Sequence, residues 1–258
     1  MRIALAQMLS GTDPGENLRT MTGFAERAAA AEASLLVFPE AAMCRFGVPL
    51  GPVAQPLEGP WAHGVRELAD SAGISIVAGM FTPADDGRVY NTLLAVGPGF
   101  SEHYDKVHLY DAHGFTESRT VAPGAGLVLI EVDDVRVGLS TCYDIRFPGL
   151  YQALADRGAD VIVVAASWGA GPGKVEQWEL LARARALDST AFVAACGQAD
   201  PGEATKAPTG VGHSLVVSPT GVVLDRLGAE PGLLVVEVDV TAVAAARQAL
   251  PVLANRRW

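Results

Sequence analysis

Three side chains of complementary chemistry stand far apart in this 258-residue chain: Glu40, Lys106 and Cys142. A thiol becomes a strong nucleophile once a base takes its proton, and a partly buried carboxylate such as Glu40 can be that base when burial raises its pKa. A carbonyl under thiolate attack becomes an oxyanion. An ammonium such as Lys106 stabilises it, as does a backbone N–H just after the nucleophile, here that of Tyr143. Attack gives a thioester, which splits one hard hydrolysis into two easier steps. Singly, each residue also has a plain reading: Cys142 as core filling, Glu40 as a solvated loop carboxylate, Lys106 as a surface lysine. Only a fold that gathers the three makes them a machine.

The flanking sequence supplies the elements. SLLVFPE (34–40) reads as a strand ending in Glu40, strand-like SEHYD (101–105) precedes Lys106, and VRVGLST (135–141) stops at Cys142. Further strands are expected at 2–7, 74–80, 90–97, 126–132, 160–167, 191–197, 213–218 and 233–239. A helix should run from Asp13, as N-cap with Pro14 at the first position, to about residue 33. Others are expected at 61–73, closed by Gly73, at 148–158, at 175–190 and over TAVAAARQAL before Pro251. Continuous apolar strands alternating with helices imply sheets covered by helices, and the Asp133–Asp134 hairpin signal adds antiparallel pairing, so the sheets should be mixed. Ligands then bind beyond the carboxyl ends of strands. No linker, composition break or repeat of 20–50 residues divides the chain, so one α/β domain over 1–258 is expected.

Half the residues are hydrophobic and 19% are charged, ample for a large core. The net charge of −10 disfavours nucleic acid and anionic membrane as partners, although a few Arg or Lys can reverse the field inside a pocket. Cys44, Cys142 and Cys196 form no CxxC, and the N-terminal stretch reads as an opening strand. A reducing cytoplasm without disulfides is the expectation. No apolar run approaches the ~18 residues of a membrane span. His103, His108 and His113 recur every five residues, which is no zinc spacing, so neither metal nor cofactor is expected. GAGPGK (169–174) fails the phosphate-loop spacing and reads as a loop beside the pocket. Pairing Cys142 with His108 or His213 leaves Glu40 and Lys106 unexplained, and His213 reads as structural.

VFPE (37–40), DKVHLYD (105–111) and STCYDIRFP (140–148) resemble the three signature segments of the nitrilase superfamily, the carbon–nitrogen hydrolases. FTES (115–118), QWELLARARALDS (177–189), GHSLVVSPTGVVL (212–224) and RQALPVLANRR (247–257) are similar to its Nit-type amidase branch. The resemblance covers nearly the whole chain. It implies a four-layer α-β-β-α sandwich that pairs into an eight-layer homodimer or a higher homo-oligomer. It implies Glu40 as general base, Lys106 as oxyanion stabiliser, Cys142 as nucleophile and Glu117 as a second acidic residue positioning Lys106 or the substrate. The implied activity is hydrolysis of a small linear carboxamide, as in omega-amidase or deaminated-glutathione amidase. N-carbamoyl amide or nitrile hydrolysis, and a non-catalytic metabolite-binding member, are the alternatives. Tyr110, Tyr143, Arg146, Ser167 and Trp168 follow strands or motifs that should border the pocket. Arg146 suits a substrate carboxylate, or else pairs with Asp144 or another structural carboxylate. Many relatives carry Glu where this chain has Gly149, a difference expected to bear on pocket shape or helix start. Loops near 45–60, 110–116, 168–174 and 198–212 should set the pocket's size. The tail PVLANRRW either crosses to a partner subunit or packs on its own domain.

Overall fold

The computed structural model describes residues 1–202 and 207–257. The first half runs β1 (Arg2–Gln7), α1 (Pro14–Ala30), β2 (Leu35–Val37), α2 (Pro60–Ala72), β3 (Ser75–Pro83), β4 (Val89–Gly97) and β5 (Phe100–Asp105). Short strands follow: β6 (Asp111–Ala112), β7 (Phe115–Thr116) and β8 (Val121–Ala122). The second half runs β9 (Leu129–Val132), β10 (Val135–Thr141), α3 (Pro148–Asp156), β11 (Val161–Ala166), α4 (Lys174–Ser189), β12 (Phe192–Gly197), β13 (Leu215–Val217) and β14 (Val223–Arg226). It closes with β15 (Gly232–Glu237), α5 (Thr241–Ala249) and α6 (Val252–Asn255).

Two mixed sheets result, ordered β15-β1-β2-β3-β4-β5, with β8 on β4, and β14-β13-β12-β11-β10-β9. Each holds three parallel strands joined by helices: β1, β2, β3 in one and β10, β11, β12 in the other. Successive side chains of a strand face opposite sides, and the cores follow that alternation. Ile3 and Leu5 join Val163, Ala165 and Cys196 in a core between the sheets. Ala4 and Ala6 face the other way, against Met21, Phe24 and Trp61 of α1 and α2. On the second sheet Ile162 and Val164 pack on Tyr151, Trp178 and Ala182 of α3 and α4. The layers are therefore α-β-β-α.

Topology also decides where the chemistry can lie. β4 is antiparallel to β3, and β5 antiparallel to β4. So β5 runs in the direction of β2 and β3, and its carboxyl end emerges at the same edge as theirs. Two glycines open that edge. A Cβ on Gly79 of β3 would lie 2.6 Å from the Ala41 nitrogen, and one on Gly124 would lie 2.0 Å from the Asp105 carbonyl. The Glu40 turn and the Lys106 segment can each pass close to the neighbouring backbone because neither position has a side chain.

Several expected elements shift. The strand expected at 34–40 ends at Val37, because Pro39 has no N–H for the ladder. Helix α1 begins at Pro14 with Asp13 accepting from the Glu16 N–H at 2.8 Å, and stops at Ala30. β14 and α6 were not expected. Gly149 sits in the exposed first turn of α3, where an added Cβ meets nothing within 4 Å, so it shapes no pocket wall. In the tail, Arg256 pairs with Asp156 of the chain's own α3 at 2.7 Å, while Trp258 lies outside the described residues. Among the described residues no helix is long and apolar enough to cross a membrane.

Candidate active site

Glu40 leaves the end of β2 and is 1% exposed. Its Oε1 accepts from Lys106 Nζ at 3.0 Å and from Asn91 Nδ2 at 2.7 Å, and its Oε2 accepts from the Ser167 N–H at 2.7 Å. Gln198, beyond β12, donates to the Glu40 carbonyl at 3.1 Å. Lys106 reaches Glu117 as well, at 2.9 and 3.1 Å. Glu117 accepts from the Tyr110 N–H at 2.6 Å. One buried ammonium thus bridges two buried carboxylates. Burial lowers the pKa of Lys106, but Glu40, Glu117 and Cys142 outweigh it and hold the ammonium well above its usual range.

Cys142 follows β10 with φ +47°, a left-handed conformation that a non-glycine residue adopts at a cost of ~1 kcal/mol or more. The kink ends the strand and starts a 3-10 turn over Cys142–Arg146. Half-buried Sγ lies 3.9 Å from the Ser167 carbonyl oxygen, next to the residue that holds Glu40. Burial, then the charge of Glu40, pushes the thiol well above its usual pKa, with Lys106 opposing. The thiol is therefore protonated at rest, with a carboxylate beside it.

The turn is braced by Asp144, which is fully buried. Oδ2 accepts from Tyr104 Oη at 2.7 Å and from the Thr141 N–H at 2.9 Å. Oδ1 accepts from the His108 N–H at 3.0 Å and faces His108 Nδ1 at 2.8 Å. The carboxylate ties the Cys142 turn of one sheet to the Lys106 segment of the other.

The family model for carbon-nitrogen hydrolases matches residues 2–248. The chain belongs to the carbon-nitrogen hydrolase family. A Mycobacterium tuberculosis protein named hydrolase Rv0480c is 62% identical, over 99% of this chain and 95% of its own. Deaminated glutathione amidase of Escherichia coli O157:H7 is 35% identical over 100% and 98%. The crystal structure of Saccharomyces cerevisiae Nit3, a member of branch 10 of the nitrilase superfamily, superposes with a TM-score of 0.88 at 27% identity, covering 100% of this chain and 97% of that one.

In this carbon-nitrogen hydrolase a cavity of about 470 Å³ opens over Cys142, bordered by Glu40, Lys106 and Glu117 at its base. Tyr110, Tyr143, Arg146, Ser167 and Trp168 all line it, as expected. Their contacts refine the expectations. The Ser167 hydroxyl donates to the Pro208 carbonyl, while its backbone N–H donates to Glu40. The Tyr143 ring stands edge-on to Tyr110 at 5.0 Å. Arg146 does not pair with Asp144: it donates to Gln177 Oε1 at 2.9 Å and lies over the Trp168 ring at 5.0 Å. The expected pocket loops contribute Phe46, then Tyr110, Ala112, His113 and Phe115, then residues 168–172 with Lys174, and Ala207 with Pro208; residues 203–206 of the last loop lie outside the described residues. The evenly spaced histidines separate, His108 against Asp144, His113 at the pocket and His103 on β5. Among the described residues no three His, Cys, Asp or Glu side chains are grouped to hold a metal ion.

Asn91, Asp144, Gln198 and Lys174 were not singled out as site residues from the sequence. Asn91 left a signal, a fully buried amide inside the apolar strand YNTLLAVG. Lys174 closes the loop that fails as a phosphate motif, and its Nζ lies 5.5 Å from the Trp168 ring centroid.

Proposed function

We propose that this chain is a cysteine amidase that hydrolyses a small linear carboxamide bearing a carboxylate, giving the acid and ammonia. The observation that carries the reading is the convergence of Glu40, Lys106 and Cys142 at the base of one cavity. Glu40 takes the thiol proton as sulfur bonds to the amide carbon, since the resting thiol is protonated. Lys106 and the Tyr143 N–H stabilise the oxyanion. Collapse of the adduct breaks the carbon–nitrogen bond, and the proton held by Glu40 passes to the departing ammonia. Water, deprotonated by Glu40, then attacks the thioester and returns the thiol. Glu117 holds Lys106 in place. Arg146 binds the substrate carboxylate from the cavity wall, and the names of the amidase relatives support that class.

The working form is proposed to be a homodimer. Leu180 and Leu187, 65% and 46% exposed and seven residues apart on α4, are consistent with a covered face. Sedimentation at micromolar concentration tests this, and a monomer refutes it.

Ammonia release across a panel of amides, N-carbamoyl amides and nitriles, with intact-mass detection of an acyl adduct, tests the activity. Cys142→Ala should bind substrate without turnover. Full activity in that variant, or absence of any adduct across the panel, overturns the proposal in favour of a metabolite-binding protein.

A further inference from the structure

Among the described residues, two cations face this cavity without a carboxylate partner. Glu40 and Glu117 both bond to Lys106. Arg146 donates to the neutral Gln177 amide, and Lys174 forms no ion pair among the described residues. Both cations lie over the Trp168 ring, at 5.0 and 5.5 Å from its centroid, and Lys174 also stands 6.0 Å from the Tyr110 ring.

Lys174 is in an unfavourable place. It is the first residue of the 16-residue helix α4, where the macrodipole repels a cation. It is close enough to Arg146 that this charge, after burial, holds its ammonium below the usual range. In a chain of net charge −10, such a pair concentrates positive potential at one mouth. A bound anion relieves the like-charge contact and the dipole repulsion together.

The cavity's volume of about 470 Å³ lies within the range of small-molecule sites.

We propose that Lys174 is a specificity-determining residue that binds a second anionic group, so that the preferred amide carries two negative groups, one at Arg146 and one at Lys174. The proposal rests on the amidase reading and names its substrate class as dianionic amides.

The test compares glutaramate, with one carboxylate, and the terminal monoamide of tricarballylic acid, with two. In the wild type kcat/KM should favour the dianion by about tenfold or more. Lys174→Met should abolish that preference through KM, with kcat held within about twofold. Lys174→Arg should restore it, and rising salt should erode it. Equal losses on both amides, or no change on either, overturn the proposal, the first by showing one shared carboxylate. Calorimetry on Cys142→Ala, with and without Lys174→Met, reads the same preference as binding alone. Preferential binding without wild-type turnover sinks the amidase reading and leaves Lys174 its role. Turnover without preference does the reverse, and no binding of either amide overturns the dianion site.

Discussion

Glu40→Gln separates two effects that Glu40 exerts on Cys142. As the proposed base it should help the thiol lose its proton during attack; as a negative charge it makes the free thiolate harder to form. The substitution keeps the shape and removes both. The thiol midpoint should therefore fall, helped by Lys106, which keeps only Glu117 as counter-charge. Turnover should nonetheless drop by about 10²–10⁴, the usual contribution of a general base. The structural cost is bounded. Oε1 faces two donors and Oε2 one, so the Gln amide nitrogen meets the Ser167 N–H, at about 1–3 kcal/mol for the lost bond. Net charge within the buried Glu40–Lys106–Glu117 cluster goes from −1 to zero, so no uncompensated charge is left behind. The assay is iodoacetamide labelling of Cys142 against pH by intact mass, beside ammonia release. A thiol midpoint that stays or rises, or turnover above about a tenth of wild type, refutes the assignment of Glu40 as base.

The other expectations follow from the same geometry. Lys106→Met leaves Glu40 and Glu117 buried without a cation, and should destabilise by about 3–5 kcal/mol in urea unfolding and lower kcat by about 100-fold or more. Gly79→Ala places a Cβ 2.6–2.9 Å from the backbone of residues 39–41; it should displace Glu40 and cut kcat by about 100-fold while circular dichroism retains the native fold. Asp144→Asn leaves one oxygen where four donors converge, and should cost about 2–4 kcal/mol in thermal unfolding. In the native protein iodoacetamide should label half-buried Cys142 well before Cys44 and Cys196, both fully buried; labelling of those two at an equal rate contradicts the site's accessibility.

Glu40 and Cys142 were legible because each ends an apolar run with a reactive group, and Lys106 because it follows the strand-like SEHYD; sheet topology brings such strand ends together. Their supports were less so. Asn91 reads as an interruption in a buried strand until β3, β4 and β5 are paired, which sets its amide against both carboxylates. Asp144 stands in plain view within STCYDIRFP, yet its partners Tyr104 and His108 come from the other sheet. Of the two readings of Arg146, the pairing with Asp144 rests on charge and proximity in sequence, but Asp144 turns inward to its four donors while Arg146 lies on the cavity wall. Gly149 drew notice by departing from relatives, and the helix start it occupies faces open space. Local pattern locates strand ends; it does not reveal which groups cross from one sheet to the other.

The charges form a gradient that orients a substrate before any chemistry. At the cavity base two carboxylates enclose one ammonium, and at the wall Arg146 and Lys174 stand beside aromatic rings without acidic partners among the described residues. The base carries a net negative charge and the wall two positive ones. A carboxylate is thus repelled from the neighbourhood of Cys142 and drawn to Arg146, while a neutral amide meets no such barrier at the base. On the proposed amidase reading, the acid end of an amide of a dicarboxylic acid should dock outward and its carboxamide should reach the sulfur. With the carboxylate replaced by an ammonium, the same field works in reverse, pulling the charged end toward Glu40 and leaving the amide at the mouth. Charge, more than shape, then decides which end of the molecule reaches the nucleophile, so a cationic analogue of equal length should be a poor substrate even where it fits.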